Sequence, residues 1–241
     1  MKGVKAFGRT DIGRKRSGNQ DSIVLNDKIG LYAIADGMGG HKGGEIASAL
    51  AVEVLESALS KIDEKKHIQI VPFLKEAISL ASIRIHERAS MDDSLKGMGT
   101  TLVCVFFYGA KCYIAQVGDS RVYLHREGDL WKITEDHSLV NEQVRSGLIT
   151  RSQADKLAYK NVITRSVGFE EIVEVDVYVR ELQSGDLFLL CSDGLTSMIN
   201  DDEIKSNIDP DDIKKSVNDL IDAANNAGGY DNVSVIIARV D

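Results

Sequence analysis

Apolar residues recur at every second position in many short stretches and at three- and four-residue intervals in three longer ones, so the chain reads as strands interrupted by helices. After a first segment from Val4 to Gly13, Asp21, Ile23 and Leu25 share one face of a strand, and Tyr32 to Asp36 alternates as a second. Ala47, Leu50, Ala51, Val54 and Ala58, widened by Leu55, Leu59 and Ile62, make the apolar stripe of a long helix. A second helix begins near Pro72, with Leu74, Ala77, Ile78, Ala81 and Ile85 inward. Thr101 to Tyr108 and Lys111 to Val117 form a strand pair turned at Gly109-Ala110, and Glu127-Gly128-Asp129 reads as a further hairpin turn. Val175, Val177 and Val179 alternate with polar residues, and Leu187, Leu189 and Cys191 lead to Asp193. The last helix is predicted to have Asp209 as N-cap and Pro210 in its first position, and to end at Gly228-Gly229 before a final strand through Val233, Val235 and Ile237.

Between residues 138 and 166 the pattern changes to short polar helical pieces. Ser138 is placed to cap one, Gly147 to end it, and Thr150 with Gln153 to form a capping box for the next. This insertion is expected to be a flap over a site, with a decorative surface excursion as the alternative.

With 241 residues, 43% of them hydrophobic, only two prolines and no low-complexity linker, the chain is expected to be one domain, 1–241. A net charge of −8 argues against a nucleic-acid partner, and 37 acidic residues are compatible with holding cations. The three cysteines, Cys104, Cys112 and Cys191, lie in apolar strands without metal-ligand spacing and are expected to be reduced core residues. No signal-peptide or membrane-spanning pattern is evident, so a cytoplasmic protein with no membrane partner is expected.

Candidate chemistry centres on Ile34-Ala35-Asp36-Gly37-Met38-Gly39-Gly40-His41. A buried ionised carboxylate is costly unless paired or bound to a cation, and the adjoining glycines let backbone approach a ligand closely. Asp119 and Asp193 also close apolar rows, whereas Asp21 and Asp231 open theirs. With antiparallel strands, matching parity gathers all five at one end of the inner faces. Their mutual repulsion calls for divalent cations, and an all-oxygen donor set suits Mg²⁺ or Mn²⁺. Two such ions about 3.5–4 Å apart can support in-line attack on phosphorus. Arg16 is placed to grip a phosphate and His41 to protonate a leaving group. On sequence alone, Arg16 reads equally as a member of a solvated basic turn, and for His41 a locally bonded loop residue is the favoured reading. His125 and His137 are expected to be structural or peripheral. Neither G-x-x-x-x-G-K-[ST] nor G-x-G-x-x-G spacing passes through Gly37 to Gly44, which removes a nucleotide-phosphate loop.

Arg16 with Asn19-Gln20-Asp21, the Asp36 to His41 segment, Met98-Gly99-Thr100-Thr101, Gly118-Asp119-Ser120-Arg121, Ser192-Asp193-Gly194 and Gly229-Tyr230-Asp231-Asn232 occur in that order over nearly the whole chain. The set resembles the motifs of metal-dependent type 2C serine/threonine protein phosphatases, bacterial branch. The resemblance implies a four-layer α-β-β-α sandwich of two mainly antiparallel β-sheets flanked by antiparallel helix pairs, with a helical flap. It implies that Asp36 and the Gly37 carbonyl hold two metals, that Asp193 and Asp231 complete the first site, and that Asp21 orients waters around the second. A metal-bridging water or hydroxide would attack phosphorus directly, Arg16 would bind the phosphate, and His41 would protonate the departing Ser or Thr oxygen. Asp119 with Asp193 would hold a third metal. Because Leu195-Thr196-Ser197 lacks the further acidic residue of some relatives, that site is expected to be weaker and exchangeable. Gln20 stands where some relatives have glutamate. A monomer acting on phosphoproteins and opposing a bacterial Ser/Thr kinase is expected. The rival readings are a noncatalytic docking module with this fold and a small-phosphoester hydrolase.

Overall fold

The computed structural model describes residues 3–39, 43–62, 69–154, 157 and 162–241. Among these residues, eleven strands form two sheets in which every paired neighbour is antiparallel. The first sheet has the order β1 (Val4–Asp11), β11 (Val233–Val240), β10 (Leu187–Cys191), β7 (Arg121–Arg126) and β8 (Asp129–Lys132). The second has the order β2 (Asp21–Asn26), β3 (Leu31–Met38), β5 (Leu102–Tyr108), β6 (Lys111–Val117) and β9 (Asp176–Glu181), with the short β4 (Gly99–Thr100) paired to the end of β3.

The period of two along each strand sorts side chains into separate apolar layers. Tyr32 and Ile34 of β3, Val103 and Val105 of β5, Leu190 of β10 and Ile236 of β11 meet between the sheets. Ala33 and Ala35 point the other way, against α1 (Gly43–Leu59) and α2 (Ile70–Ser90). On the far side, Leu189, Val235 and Ile237 pack against short helices α5 (Asp193–Thr196) and α6 (Asp201–Ser206) and the longer α7 (Ile213–Asn226). The order of layers is therefore helix, sheet, sheet, helix. Pro72 sits in the first turn of α2, where its missing N–H removes no intrahelical bond. The three cysteines are free and buried.

The polar insertion follows its caps. Ser138 accepts from Asn141 N at the start of α3 (Leu139–Arg145), Gly147 follows that helix with φ 74°, and Thr150 and Gln153 bond reciprocally at α4 (Arg151–Ala154). Part of the predicted flap lies outside the described residues.

One boundary differs from the sequence expectation. The N-cap of α7 is Asp212, whose Oδ1 accepts from Lys215 N at 2.9 Å, rather than Asp209. Asp209 accepts from Asp211 N through its side chain and from Asp212 N through its carbonyl. Residues 209–212 are thus consumed in a turn, and Pro210 shapes that turn instead of opening the helix.

Candidate metal centre

Asp21 on β2 lies directly across from Asp36 on β3. Both share parity with residues between the sheets, as the alternation predicts. The Asp36 backbone is fixed on both sides: its N–H donates to Thr101 Oγ1 at 3.1 Å, and its carbonyl accepts from Thr101 N and Thr100 Oγ1. Asp21 reaches across to the other sheet. Its Oδ2 accepts from the hydroxyls of Ser192 at 2.9 Å and Ser234 at 2.6 Å, so one carboxylate ties the two sheets at the site end. Its Oδ1 is buried with no hydrogen-bond partner. Gly37 is required next to Asp36 because a Cβ there would collide with the backbone of Gly44, at the start of α1, and with that of Gln20.

The other three aspartates also reach the site, but strand parity does not bring them there. Ala115 and Val117 of β6 face the α1/α2 layer, and Asp119 enters the pocket because Gly118, at φ 103°, redirects the chain. Leu187, Leu189 and Cys191 face the α5–α7 layer, and Asp193 is the first residue of α5 rather than the end of a strand row. Val233, Val235 and Ile237 also face outward, while Asp231 sits in the turn after Gly229, at φ 53°. Strand parity brings Asp21 and Asp36 to the site, and local turns bring Asp119, Asp193 and Asp231.

Asp36, Asp119, Asp193 and Asp231 line a cavity of about 720 Å³ with Gly37, Met38, Thr101, Ile163 and the Arg16–Gly18 loop. Asp21, paired with Asp36 across the β2–β3 ladder, is buried and does not line the cavity. Arg16 is half-exposed on the rim and donates from Nη2 to Asp231 Oδ2 at 2.7 Å. Its loop is held by Asn232, which accepts from Gln20 N and donates to the carbonyls of Ile12 and Gly18. His41 lies outside the described residues.

Burial, then the facing carboxylates, push Asp21 up to about 6 and Asp36 well above the ordinary carboxylate range. Asp119 is pushed up to about 7 by burial and by Asp193 and Asp136, and Asp193 is raised by burial and Asp231. Holding these groups ionised together requires compensating positive charge. Among the described residues, no group of three Asp, Glu, His or Cys side chains is close enough to cage a cation by itself. The donor set instead fits hydrated hard cations: all oxygen, an unpartnered Asp21 Oδ1, and room for the several waters that Mg²⁺ retains.

Residues beyond the five aspartates hold the site in shape. Thr101 Oγ1 also bonds Ser120 Oγ at 2.9 Å, linking the Asp36 backbone to the Asp119 loop. The buried His137 accepts from Gly118 N at Nδ1 (3.2 Å) and pairs with Asp176 at Nε2 (3.3 Å), giving the structural role expected of it a definite target, the Gly118 turn. Gln116 Nε2 donates to the carbonyls of Gly118 and Ser120. Thr101, Ser120, Ser192 and Asn232 stand within the quoted motifs, whereas Gln116, His137 and Ser234 carry no local sequence signal.

The model of the family described as protein phosphatase 2C matches residues 10–232. A putative protein phosphatase 2C-type protein from Streptococcus pyogenes serotype M6 is 41% identical over 235 residues, covering 96% of this chain and 95% of that protein. The crystal structure of the Mycobacterium tuberculosis serine/threonine phosphatase PstP/Ppp superposes with a TM-score of 0.91 at 35% identity, covering 99% of both chains. The catalytic domain of PstP in complex with two manganese ions gives a TM-score of 0.87, also at 35% identity and 99% coverage of both. With the motifs in order, the α-β-β-α layers in place and five aspartates at one end of the sandwich, this chain belongs to the protein phosphatase 2C family.

Proposed function

We propose that the cavity hydrolyses phosphoserine and phosphothreonine in protein substrates and that its cofactors are Mn²⁺ or Mg²⁺. The observation that carries this reading is the convergence of the Asp21–Asp36 pair with Asp119, Asp193 and Asp231 beside a rim guanidinium. Asp36, the Gly37 carbonyl, Asp193 and Asp231 would hold the two core cations. Asp21, with Oδ2 committed to two serines, has Oδ1 left to orient their waters. Asp119 and Asp193 would form the weaker third site. When bound, such ions lower the pKa of water and stabilise charge on phosphoryl oxygens.

The chain's own residues then have distinct tasks. Thr100 and Thr101 lock the Asp36 backbone, so the carboxylate is positioned before any ligand arrives. Arg16, on an Asn232-pinned loop, offers a planar donor fork to two phosphate oxygens and fixes the phosphorus relative to the carboxylates. Hydrolysis adds water to phosphorus and breaks the bond to the Ser or Thr oxygen, which must gain a proton. His41 is the proposed donor. We further infer a monomeric, cytoplasmic enzyme that opposes a Ser/Thr kinase, with residues 138–166 as a flap in a single catalytic domain, 1–241. Among the described residues, no helix is long and apolar enough to cross a membrane.

Metal-stripped protein resupplied with Mn²⁺ should release phosphate from a phosphothreonine peptide and from p-nitrophenyl phosphate. Asp36→Asn should lower both rates by about 100-fold or more, the scale of losing one preorganised electrostatic group. Hydrolysis of the small ester alone would favour the small-phosphoester reading. A folded, metal-loaded wild type inactive on both would favour the docking module.

A further inference from the structure

The turn 167–170 is anchored more firmly than its position in a connection requires. Val167 exchanges two backbone hydrogen bonds with Thr100 of β4, at 2.8 and 3.0 Å. Gly168 N donates to Ser82 Oγ of α2 at 2.9 Å, and the same hydroxyl donates to the Glu170 carbonyl at 2.8 Å. Gly168 has φ 92°, and a Cβ on it would strike Ile85. On this pinned turn Phe169 is 59% exposed, and Ile172, three residues on, is 86% exposed. Large apolar side chains held outward on a fixed backbone mark a surface built for contact.

Beside them runs a groove of about 510 Å³ whose apolar wall is Met38, Ile163, Phe169, Ile172 and Val173. Met38 and Ile163 also line the aspartate cavity, so the groove and the proposed phosphate site share a wall. Any polypeptide that places a phosphorylated side chain in the cavity must leave over its rim, and this shared wall leads into the groove. Its edge is acidic. Arg165 is engaged by Glu174 at 3.1 Å and Asp176 at 3.2 Å, while Glu170 and the adjacent Glu171 are exposed and have no ion-pair partner among the described residues.

We propose that this groove receives the substrate chain next to the phosphorylated residue, seating one apolar side chain against Phe169 and Ile172 and a basic one beside Glu170 and Glu171. The proposal rests on the phosphatase reading and makes the groove the part of the enzyme that selects among phosphoproteins. Phe169 and Ile172 are positioned to act on substrate affinity, since neither lines the aspartate cavity.

The test uses the full chain with Mn²⁺, p-nitrophenyl phosphate, and two sets of phosphothreonine peptides. One set carries an apolar and a basic residue scanned through the flanking positions, and the other has alanine throughout the flanks. Phe169→Ala combined with Ile172→Ala should raise KM for the best apolar-basic peptide roughly tenfold, the scale of losing burial of one large apolar side chain. kcat, melting temperature, the small-ester rate and the alanine-flanked peptides should not change. Glu170→Lys with Glu171→Lys should remove the preference for the basic residue and favour an acidic one. Unchanged peptide selectivity in both variants would overturn the proposal, as would a parallel fall in the small-ester rate, which would assign these residues to the cavity itself. A wild type inactive on every substrate would overturn the phosphatase reading and this proposal with it.

Discussion

Asp21 divides its work between two oxygens. Oδ2 accepts two serine hydroxyls from the opposite sheet, and Oδ1 is buried and unpartnered. Ser234→Ala removes the shorter of those bonds, at 2.6 Å, and at pH 7.5, above the raised Asp21 pKa of about 6, it leaves a buried anion short of a donor. A loss of about 1.5–3 kcal/mol in unfolding free energy is expected from urea denaturation with Mn²⁺ present. At this scale the sequence was informative about identity and less so about cause. All five aspartates could be named, yet only Asp21 and Asp36 reach the site by strand parity. Asp119 depends on a left-handed Gly118, Asp193 on a helix that begins where a strand row was expected, and Asp231 on a turn at Gly229. Alternation cannot report a reversal of direction at a single residue. Nor could it reveal His137 under Gly118, or Ser234 under Asp21, because those contacts join residues remote in the chain.

Elements with long periodic patterns were the most legible: α1, α2 and the strands with alternating faces fall where apolar spacing puts them. Capping chemistry was also readable when it was unambiguous, as at Ser138 and the Thr150–Gln153 pair. It failed at Asp209-Pro210-Asp211-Asp212, where three aspartates can each accept a backbone N–H and the choice depends on the turn between them. The structure makes the choice testable. Asp212→Ala removes the N-cap of α7 and should cost about 1 kcal/mol in chemical denaturation, whereas Asp209→Ala, which leaves that cap in place, should cost less. Equal losses, or a larger one at Asp209, would restore Asp209 as the helix start.

Across the whole molecule, two sheets converge at one end on carboxylates that repel each other, and the β2–β3 pair and β11 anchor that end to both sheets. Without cations this arrangement opposes folding in a pH-dependent way. Asp21 and Asp119 have folded pKa values raised from 3.8 to about 6 and about 7, so they favour the folded state fully only below about 3.8, and that contribution is lost as pH rises through 6 to 7. Between pH 5 and 8 the depressed carboxylates Asp11, Asp92, Asp136 and Asp241 stay ionised, whereas His125 and His137, lowered by burial from 6.5, add stability as pH rises towards that value, so the aspartate trend is read most cleanly above it. Divalent cations reverse it because they bind the ionised forms.

The most direct measurement is therefore the melting temperature of metal-stripped protein from pH 5 to 8, with and without Mn²⁺, for wild type and Asp36→Asn. Wild type without metal should melt at lower temperature as pH rises. Mn²⁺ at a hundredfold excess over Kd should add about 2.7 kcal/mol per site, or roughly 5–10 °C, with a gain that grows with pH and is largely lost in Asp36→Asn. A melting temperature unaffected by Mn²⁺ at every pH, or an equal gain in Asp36→Asn, would contradict the assignment of these aspartates to a catalytic cation site.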